Sequence, residues 1–366
     1  MTIPDDPSLV PSRSRIHGCL LAGAIGDALG APVEFSTSAR ILADHGADGV
    51  RRFLPSYGLG GGAITDDTQM TLFTAEGLIR SHHRGAEKGI VHPPTMVWHA
   101  YQRWLSTQRS RPGDAATPVD GWLLDQPFLH HQRAPGGTCL SALRRGVAGT
   151  VEAPPNTSKG CGAIMRVAPV GIVLPPREAF TLGVDTGVLT HGHPSGYLPA
   201  GVLAMLVSSV LRGQDLAQAA GATLAVLSRW SGHEETSAYI ELALDRAAAG
   251  DRPTPTKLDA MAPPSKDTAG WMGHDALGVS LWCALAAADL LDGLSLAASH
   301  GGDSDSTSAI TGNLLGAAQG EEALPELLLR DLEGAEVITQ VADDLSAITR
   351  SITDRLIPDH DRYPPW

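Results

Sequence analysis

The sequence predicts a single all-α domain built from many helices. No stretch keeps the period-two alternation of apolar and polar residues that marks a half-buried strand. Two segments, 198–211 and 276–291, are instead apolar on almost all sides, as expected for central helices of a large bundle. The length of 366 residues suits one large domain or two average ones. We expect one compact domain over 13–356, with a disordered tail at 1–12 and a C-terminal tail at 357–366.

Composition narrows the class of partner and the compartment. The chain carries 40 Asp and Glu against 27 Lys and Arg, a net charge of −13, which disfavours tight non-specific binding to nucleic acid. The four cysteines lie far apart without a CxxC pair, so neither a zinc site nor a disulfide framework is indicated. The N-terminus lacks the basic start and apolar core of a signal peptide. Segment 196–211 is shorter than the ~20 residues needed to cross a bilayer. We therefore expect a cytoplasmic protein with no membrane partner.

The first helix is predicted over 13–29 and brings two acidic residues to its end. Asp27 lies in its last turn and Glu34 follows it. A lone glutamate after a helix is usually a solvated turn residue, so the pattern alone assigns Glu34 no role, and Asp27 is given a mixed structural one. Segment 36–62 has no sustained periodicity, and connections of that length often carry function or move as lids.

Two distant segments share one design, in which glycines, then hydroxyls and carboxylates, precede a helix. The upstream segment, 60–68, leads into a helix predicted from about Asp66 to Ser81, and the downstream segment, 300–307, leads into one predicted over 307–320. Carboxylates and hydroxyls suit a hard cation such as Mg²⁺ or Mn²⁺. Each segment alone is equally well explained as a helix N-cap. The residues that offer these oxygens are Thr65, Asp66, Asp67, Asp303, Asp305 and Ser306.

Small residues recur every fourth position in the helices next to these segments. Such stripes let helix backbones approach closely, whereas glycine costs a helix up to ~1 kcal/mol per site and so needs a compensating reason. If the two segments meet, their four carboxylates repel unless a cation neutralises them or some are protonated. A shared site with two metal ions explains both features economically. The stripes are Gly18, Ala22, Gly26 and Gly30 in one helix and Ser308, Gly312, Gly316 and Gly320 in the other.

Three further positions are candidates for ligand contacts. Gly160 and Gly162 lie near a predicted helix start, where exposed backbone N–H groups can cradle phosphate oxygens, although an ordinary loop explains them too. Cys161 between them has no His or Asp nearby in an arrangement typical of a nucleophile. Trp271 suits stacking on a base or sugar and equally suits burial.

Six motifs in order make the chain resemble the ADP-ribosylglycohydrolase family, also called the dinitrogen-reductase-activating glycohydrolase family. Each motif alone is weak, but together they cover nearly the whole chain, and the resemblance is strongest to long bacterial members of actinobacterial type. The motifs are GCLLAGAIGDALGAPVEF (18–35), ITDDTQM (64–70), SKGCGAIMRVAPVG (158–171), LTHGHPSGYLPAG (189–201), GWMGHDALGVSLWCAL (270–285) and HGGDSDSTSAITGNLLGA (300–317).

The resemblance implies a fold, a cofactor and a set of site residues. It implies an all-α domain with a dinuclear Mg²⁺ or Mn²⁺ site at its centre, held by the six oxygen-bearing residues named above. Glu34, which faces the active centre in this family, or a ligand aspartate such as Asp67 or Asp303 would transfer protons. Many members have Asn where this chain has Cys161. The residues implied for substrate binding are Gly160, Cys161, Gly162, His191 and Trp271.

The implied function is a metal-dependent hydrolase that cleaves the glycosidic bond at the anomeric carbon and frees ADP-ribose from an ADP-ribosylated protein or other acceptor. The main alternative is a catalytically silent ADP-ribose-binding or structural relative, such as the lens crystallins of this family. The presence of all six ligand positions favours the enzyme. Hydrolysis of another nucleotide or of a phosphoester at the same metals is a third hypothesis. The acceptor (arginine, serine, a nucleic-acid base or a small molecule), the choice of Mg²⁺ or Mn²⁺ and the oligomeric state stay open.

Overall fold

Helices form almost all of the regular structure in this computed structural model, which describes residues 10–108, 120–354 and 360–365. Over those residues there is no β-sheet, and only two isolated β-bridges occur. The all-α prediction is therefore confirmed. The α-helices are α1 (Arg13–Gly30), α2 (Ser38–His45), α3 (Asp66–Lys88), α4 (Pro93–Thr107), α5 (Gly137–Arg144), α6 (Ala168–Val173), α7 (Pro176–Val188), α8 (Pro194–Leu211), α9 (Leu216–Leu227), α10 (Glu234–Ala248), α11 (Pro255–Asp259), α12 (Gly273–Ala286), α13 (Leu290–Ala298), α14 (Ser304–Gln319), α15 (Glu326–Asp331) and α16 (Ala335–Asp354). Short 3₁₀ turns include Cys161–Ala163.

Three predicted segments differ from the structure. Segment 36–62 contains helix α2, because the Thr37 side chain caps its N-terminus and Ile41 is buried. Helix α14 begins at Ser304 rather than Thr307, so Asp305 and Ser306 lie in its first turn. The long apolar segment 276–291 is also two helices, because α12 ends at Ala286 and α13 begins with its own cap.

Helices α1 and α14 pack backbone to backbone along the two small-residue stripes. A Cβ added at Gly26 would overlap the carbonyl of Ser308, and one added at Gly312 would overlap the carbonyl of Ala22. The close contact extends to Gly30, where an added Cβ would meet the backbone of Ser304 and Asp305. The packing predicted from the stripes is therefore present, and it brings the end of α1 against the start of α14.

Gly26→Ala is expected to lower the free energy of unfolding by about 2 kcal/mol or more, because the added methyl group overpacks this contact. Gly221→Ala in α9 is the matched control, since nothing lies within 4 Å of a Cβ there. The control is expected to gain up to ~1 kcal/mol through helix propensity. Urea unfolding measures both effects. Equal behaviour of the two variants would contradict the close approach of α1 and α14.

Helix α8 is the one described helix that is long and apolar enough to cross a membrane by length and composition. However, 94% of its 18-residue window is buried inside the protein. It packs against α7, α6 and α12. Its apolar character is therefore explained by its place in the core, as predicted for 198–211.

The predicted tails are described only in part. Ser12 caps α1 by accepting a hydrogen bond from the backbone N–H of Arg15. Near the C-terminus, Tyr363 is fully buried and its hydroxyl donates to Asp344 at 2.8 Å. These parts of the predicted tails pack against the domain. The remaining tail positions (1–9, 357–359 and 366) and the predicted turn-rich segment at 109–119 lie outside the described residues.

Candidate active site

A cavity of about 650 Å³ gathers nearly all of the predicted site residues. The turn that follows α1, the start of α3 and the start of α14 supply its carboxylates, while the glycine-rich segment around the Cys161–Ala163 turn forms another wall. The predicted residues that line it are Glu34, Asp66, Asp67, Gly160, Cys161, Gly162, His191, Trp271, Asp303, Asp305 and Ser306. The two distant carboxylate segments therefore meet in space, as their shared design predicted.

Three carboxylates form the tightest group in the cavity. One carboxylate oxygen each from Glu34, Asp303 and Asp305 lies within 4.8 Å of the other two. Buried oxygens of Glu34 (Oε2) and Asp67 (Oδ1) have no hydrogen-bond partner. Unpartnered buried carboxylate oxygens are costly, and a hard cation is a suitable partner for them. The geometry thus adds Glu34, predicted only for proton transfer, to the candidate metal ligands.

Burial and mutual repulsion disfavour the charged forms of these acids. Burial, followed by the charges of Asp303, Asp66 and Asp27, raises the pKa of Glu34 to about 9. The pKa of Asp67 and that of Asp305 are raised well above the usual range, first by burial and then by neighbouring carboxylates. Without a cation the cluster therefore retains protons near neutral pH, and divalent ions would compete with those protons.

Asp27 holds the turn that begins α3. Its carboxylate accepts the Thr65 backbone N–H at 3.1 and 3.0 Å, the Thr68 backbone N–H at 3.1 Å and the Thr65 hydroxyl at 2.8 Å. The Thr68 hydroxyl donates to it as well. Because Asp66 and Asp67 lie between these two threonines, Asp27 orients both of them. The mixed role predicted for Asp27 is resolved as a positioning role.

Thr65 is the predicted ligand that does not line the cavity. Its hydroxyl donates to Asp27 and accepts the backbone N–H of Asp67 at 3.3 Å, so it acts as the N-cap of α3. The alternative explanation of this segment as a cap therefore holds for Thr65. Its metal contact stays a prediction.

Asp27→Ala is expected to lower the free energy of unfolding by about 3 kcal/mol, because it leaves several buried donors of Thr65 and Thr68 without an acceptor. Asp27→Asn keeps one acceptor oxygen and should cost less. Thermal and urea unfolding measure the stability. A cost below about 1 kcal/mol for the alanine variant would show that α3 does not depend on this carboxylate.

Another wall is built from the glycine segment and the residues at the start of α12. The Cys161 backbone N–H donates to the carbonyl of Trp271 at 3.2 Å, which ties these two predicted substrate contacts together. His191 lies behind Gly160 and Gly162, and its Nδ1 is 2.9 Å from the Thr190 hydroxyl oxygen. Burial, together with the Arg166 charge, lowers the pKa of His191 to about 3. Its imidazole is therefore neutral and would meet a phosphate as a hydrogen-bonding group rather than as a cation.

Cys161 bonds directly to the carboxylate cluster. Its thiol donates to Asp303 Oδ2 at 2.8 Å, and burial raises the pKa of the thiol well above its usual range. Cys161, for which the resemblance implies Asn in many members, thus still supplies a hydrogen-bond donor. That contact orients Asp303 toward the cavity wall.

The family model described as ADP-ribosylglycohydrolase matches residues 9–354. The chain belongs to the ADP-ribosylglycohydrolase family. The all-α fold and the convergent carboxylates agree with that membership.

Relatives agree with this family at low identity. An uncharacterized protein of Archaeoglobus fulgidus is 28% identical over 342 residues, covering 91% of this chain and 96% of that protein. The ADP-ribosyl-[dinitrogen reductase] glycohydrolase of Rhodospirillum rubrum is 28% identical, covering 56% of this chain and 60% of that protein. The ADP-ribosylarginine hydrolase Tri1 of Pseudomonas putida is 26% identical, covering 92% of this chain and 80% of that protein.

A solved structure also matches this family member over nearly its full length. It is titled ADP-ribosylglycohydrolase-related protein complex, with a TM-score of 0.64 and 25% identity. The match covers 92% of this chain and 98% of that one.

Sequence reasoning missed several residues that shape the site of this family member. The Gly136 backbone N–H donates to Asp66 Oδ2 at 3.2 Å, and the carbonyl of Arg133 accepts the Asp66 N–H at 3.2 Å. Lys159 and Lys266 also line the cavity. The Gly136-Gly137-Thr138 sequence repeats the pattern of glycines and a hydroxyl at a helix start. That pattern could have identified Gly136 as a site residue. The lysines carried no local signal.

Proposed function

We propose that this protein is a metal-dependent hydrolase that frees ADP-ribose from an ADP-ribosylated acceptor by cleaving the glycosidic bond at the anomeric ribose carbon. The observation that carries the proposal is the convergence of carboxylates from three helix ends in one cavity of about 650 Å³. A volume of that size suits a ligand as large as a dinucleotide-like diphosphate. Family membership supplies the reaction class.

The acidic end of the cavity fits two divalent cations, Mg²⁺ or Mn²⁺. Asp66 and Asp67 from α3, with Asp303 and Asp305 from the start of α14, would hold them, joined by the hydroxyl of Ser306 and with Thr65 as the further predicted ligand. When bound, such cations polarise water and ribose hydroxyls and neutralise developing charge. The unpartnered oxygens of Glu34 and Asp67 support this assignment.

Glu34 is the residue we assign to proton transfer. It lines the cavity, its Oε2 has no hydrogen-bond partner, and without a cation its raised pKa leaves the carboxyl protonated near neutral pH. A carboxyl in that state can give a proton to the departing acceptor, and its carboxylate form can take one from the attacking water. Asp67 and Asp303 are the alternatives, but Asp303 is already held by the thiol of Cys161.

The cavity lining carries charges of both signs, and we propose that these charges orient the ligand. Lys159 and Lys266 are its cations, whereas Glu34 and the aspartates supply negative charge. Lys159 also pairs with Glu235 at 2.7 Å, which fixes its position. A diphosphate would favour the lysines and the backbone N–H groups near Gly160, placing the distal ribose toward the carboxylates. Trp271 then offers a face for a base or sugar.

The names of two relatives indicate which acceptor to test first. Those proteins are named for ADP-ribosylarginine and for ADP-ribosylated dinitrogen reductase. We therefore propose an ADP-ribosylated protein side chain as the acceptor, with arginine the first candidate. The cytoplasmic location proposed from the sequence is compatible with such a substrate.

The test measures, by mass spectrometry, the release of ADP-ribose from substrates that are ADP-ribosylated on arginine, serine, guanosine or acidic residues. Release is expected with Mg²⁺ or Mn²⁺ and is expected to stop with chelator, and the best substrate names the linkage. Binding of ADP-ribose by calorimetry without release from any substrate would favour the silent binding relative. If the protein neither binds ADP-ribose nor releases it from any substrate, the assignment of ADP-ribose as the ligand is wrong.

A further inference from the structure

An exposed phenylalanine stacks on a residue that lines the cavity. Phe35 is 77% exposed, although it directly follows Glu34, which is only 6% exposed. The ring of Phe35 is stacked with that of Trp271, with centroids 6.0 Å apart and planes inclined by 25°. Trp271 and Glu34 line the cavity, whereas Phe35 is not among the lining residues. The ring of Phe35 therefore lies at the rim of the cavity with most of its surface open to a ligand.

The backbone that carries Phe35 is fixed beside the carboxylate group. The turn after α1 is closed by two hydrogen bonds, from the Val33 N–H to the carbonyl of Gly30 at 2.9 Å and from the Ser36 N–H to the carbonyl of Val33 at 2.8 Å. Glu34 in this turn belongs to the tightest carboxylate group of the cavity. The same short turn therefore sends one side chain into the acidic end of the cavity and the next one to its rim.

Trp271 is anchored to the same carboxylate group from another segment. The residue before it, Gly270, packs directly on Asp303, because an added Cβ at Gly270 would lie 2.9 Å from the Cβ of Asp303. The Trp271 carbonyl accepts the Cys161 N–H, and the Cys161 thiol donates to Asp303. The Trp271 indole N–H donates to the Thr268 hydroxyl at 2.9 Å, which orients the ring. Both aromatic residues are thus held next to the acidic end of the cavity.

The proposed function places the acceptor of the substrate near this pair of rings. Glu34 is assigned to give a proton to the departing acceptor, so the acceptor atom must come within about 2.6–3.2 Å of its carboxyl. The rest of a protein acceptor has to leave the cavity, and the rim beside Glu34 carries Phe35. A planar cation there would have an aromatic face on one side and carboxylates nearby, and both attract it. A serine acceptor has neither the plane nor the charge.

We propose that Phe35 is a specificity-determining residue whose ring stacks on a planar cationic acceptor, the guanidinium of an ADP-ribosylated arginine. The inference rests on the proposed function. Trp271 supports the ring of Phe35 and keeps its cavity side for ADP-ribose. The stacking on Trp271 restricts the Phe35 ring before substrate arrives, so little conformational freedom is lost on binding.

Four variants separate the aromatic face from exposed apolar surface in general. Phe35→Ala removes the ring, Phe35→Leu keeps an apolar side chain without an aromatic face, and Phe35→Tyr keeps the face. Ile90→Ala is the matched control, because Ile90 is 76% exposed and is not among the residues lining the cavity. All four variants are expected to keep the melting temperature within about 2 °C, since each changes an exposed side chain.

The measurement uses three ligands in Mn²⁺. They are a peptide carrying ADP-ribosylated arginine as substrate, and free ADP-ribose and a peptide carrying ADP-ribosylated serine as competitors. For Phe35→Ala and Phe35→Leu we expect the KM of the arginine peptide to rise about fivefold, while both inhibition constants change less than about twofold. Phe35→Tyr and Ile90→Ala should keep all three constants within about twofold of the unaltered protein.

Three results would overturn the assignment. An unchanged KM in Phe35→Ala or in Phe35→Leu would show that the aromatic face does not contact the acceptor. Equal weakening of ADP-ribose would show that Phe35 acts on ADP-ribose through Trp271 instead. Equal weakening of the serine peptide would show that the ring does not select for a planar cation.

Failure of the proposed function would give a different result. If the unaltered protein releases no ADP-ribose from the arginine peptide, the hydrolase proposal fails for this linkage, and calorimetry then gives the dissociation constants of both peptides and of ADP-ribose. Weaker binding of the arginine peptide alone in Phe35→Ala, absent in Ile90→Ala, would still support the acceptor contact. Equal dissociation constants in Phe35→Ala and the unaltered protein, or no binding of either peptide, would overturn it.

Discussion

The double variant Asp303→Ala, Asp305→Ala is expected to release ADP-ribose at least about a thousandfold more slowly than the unaltered protein, a loss of several kcal/mol of transition-state stabilisation. Both carboxylates lie in the tightest group of the cavity, within 4.8 Å of each other and of Glu34. Their removal leaves the cations that we propose without half of their aspartate ligands. The rate is measured under saturating substrate in Mg²⁺ and in Mn²⁺.

A matched control is the double variant Asp215→Ala, Asp289→Ala. Both of these aspartates also stand at helix N-termini, where their side chains cap α9 and α13, but they are not among the residues lining the cavity. The control is expected to lose some stability and to keep its activity. Comparable activity in the two double variants would contradict a role for Asp303 and Asp305 in the reaction.

In the metal-free protein, the free energy of unfolding is expected to fall as pH rises from about 4.5 to about 9. The pKa of Glu34 rises from 4.5 to about 9 on folding, and those of Asp67 and Asp305 rise as well. Between the unfolded and folded pKa values the folded protein binds more protons than the unfolded chain. Stability is therefore fully present below the unfolded pKa and is lost as pH rises through the folded one.

Saturating Mn²⁺ or Mg²⁺ should raise the melting temperature most at the alkaline end of this range, where fewer protons compete. A cation at a hundred times its Kd adds about 2.7 kcal/mol. Scanning calorimetry from pH 5 to pH 9, with metal and with chelator, measures the effect. The Asp303→Ala, Asp305→Ala variant should show a shallower pH dependence and little response to metal. A metal-free protein that gains stability with rising pH would contradict the shared burial of these acids.

The predicted loss of activity and the predicted dependence of stability on pH and metal have the same physical cause. A cluster of buried carboxylates destabilises the metal-free fold, and the same cluster is what a hard cation requires. The close packing of α1 and α14 through their glycines places these acids together, although each carboxylate would be better solvated in water. Stability is therefore expected to depend on the cation more strongly than is usual for a helical domain of this size.

Much of the fold and of the site could be predicted because their signals are local. Helix α1 follows the predicted segment 13–29 closely, and the cap role of Thr65 was one of the two explanations of its motif. The spacing of the glycines predicted the contact of α1 with α14, because residues four apart share one face of a helix. The oxygen-rich segments predicted a cluster of carboxylates for the same reason, since each supplies its oxygens within a few residues.

Tertiary structure alone decided which of these groups meet. The thiol of Cys161 reaches Asp303 across 142 positions of the chain, and the hydroxyl of Thr65 turns to Asp27 across 38. Glu34 joins Asp303 and Asp305 only through the packing of separate segments. Residue types and spacing therefore determined the helices and the kind of chemistry. The partner of each side chain was determined by long-range packing, because that depends on the relative placement of helices, which no local pattern encodes.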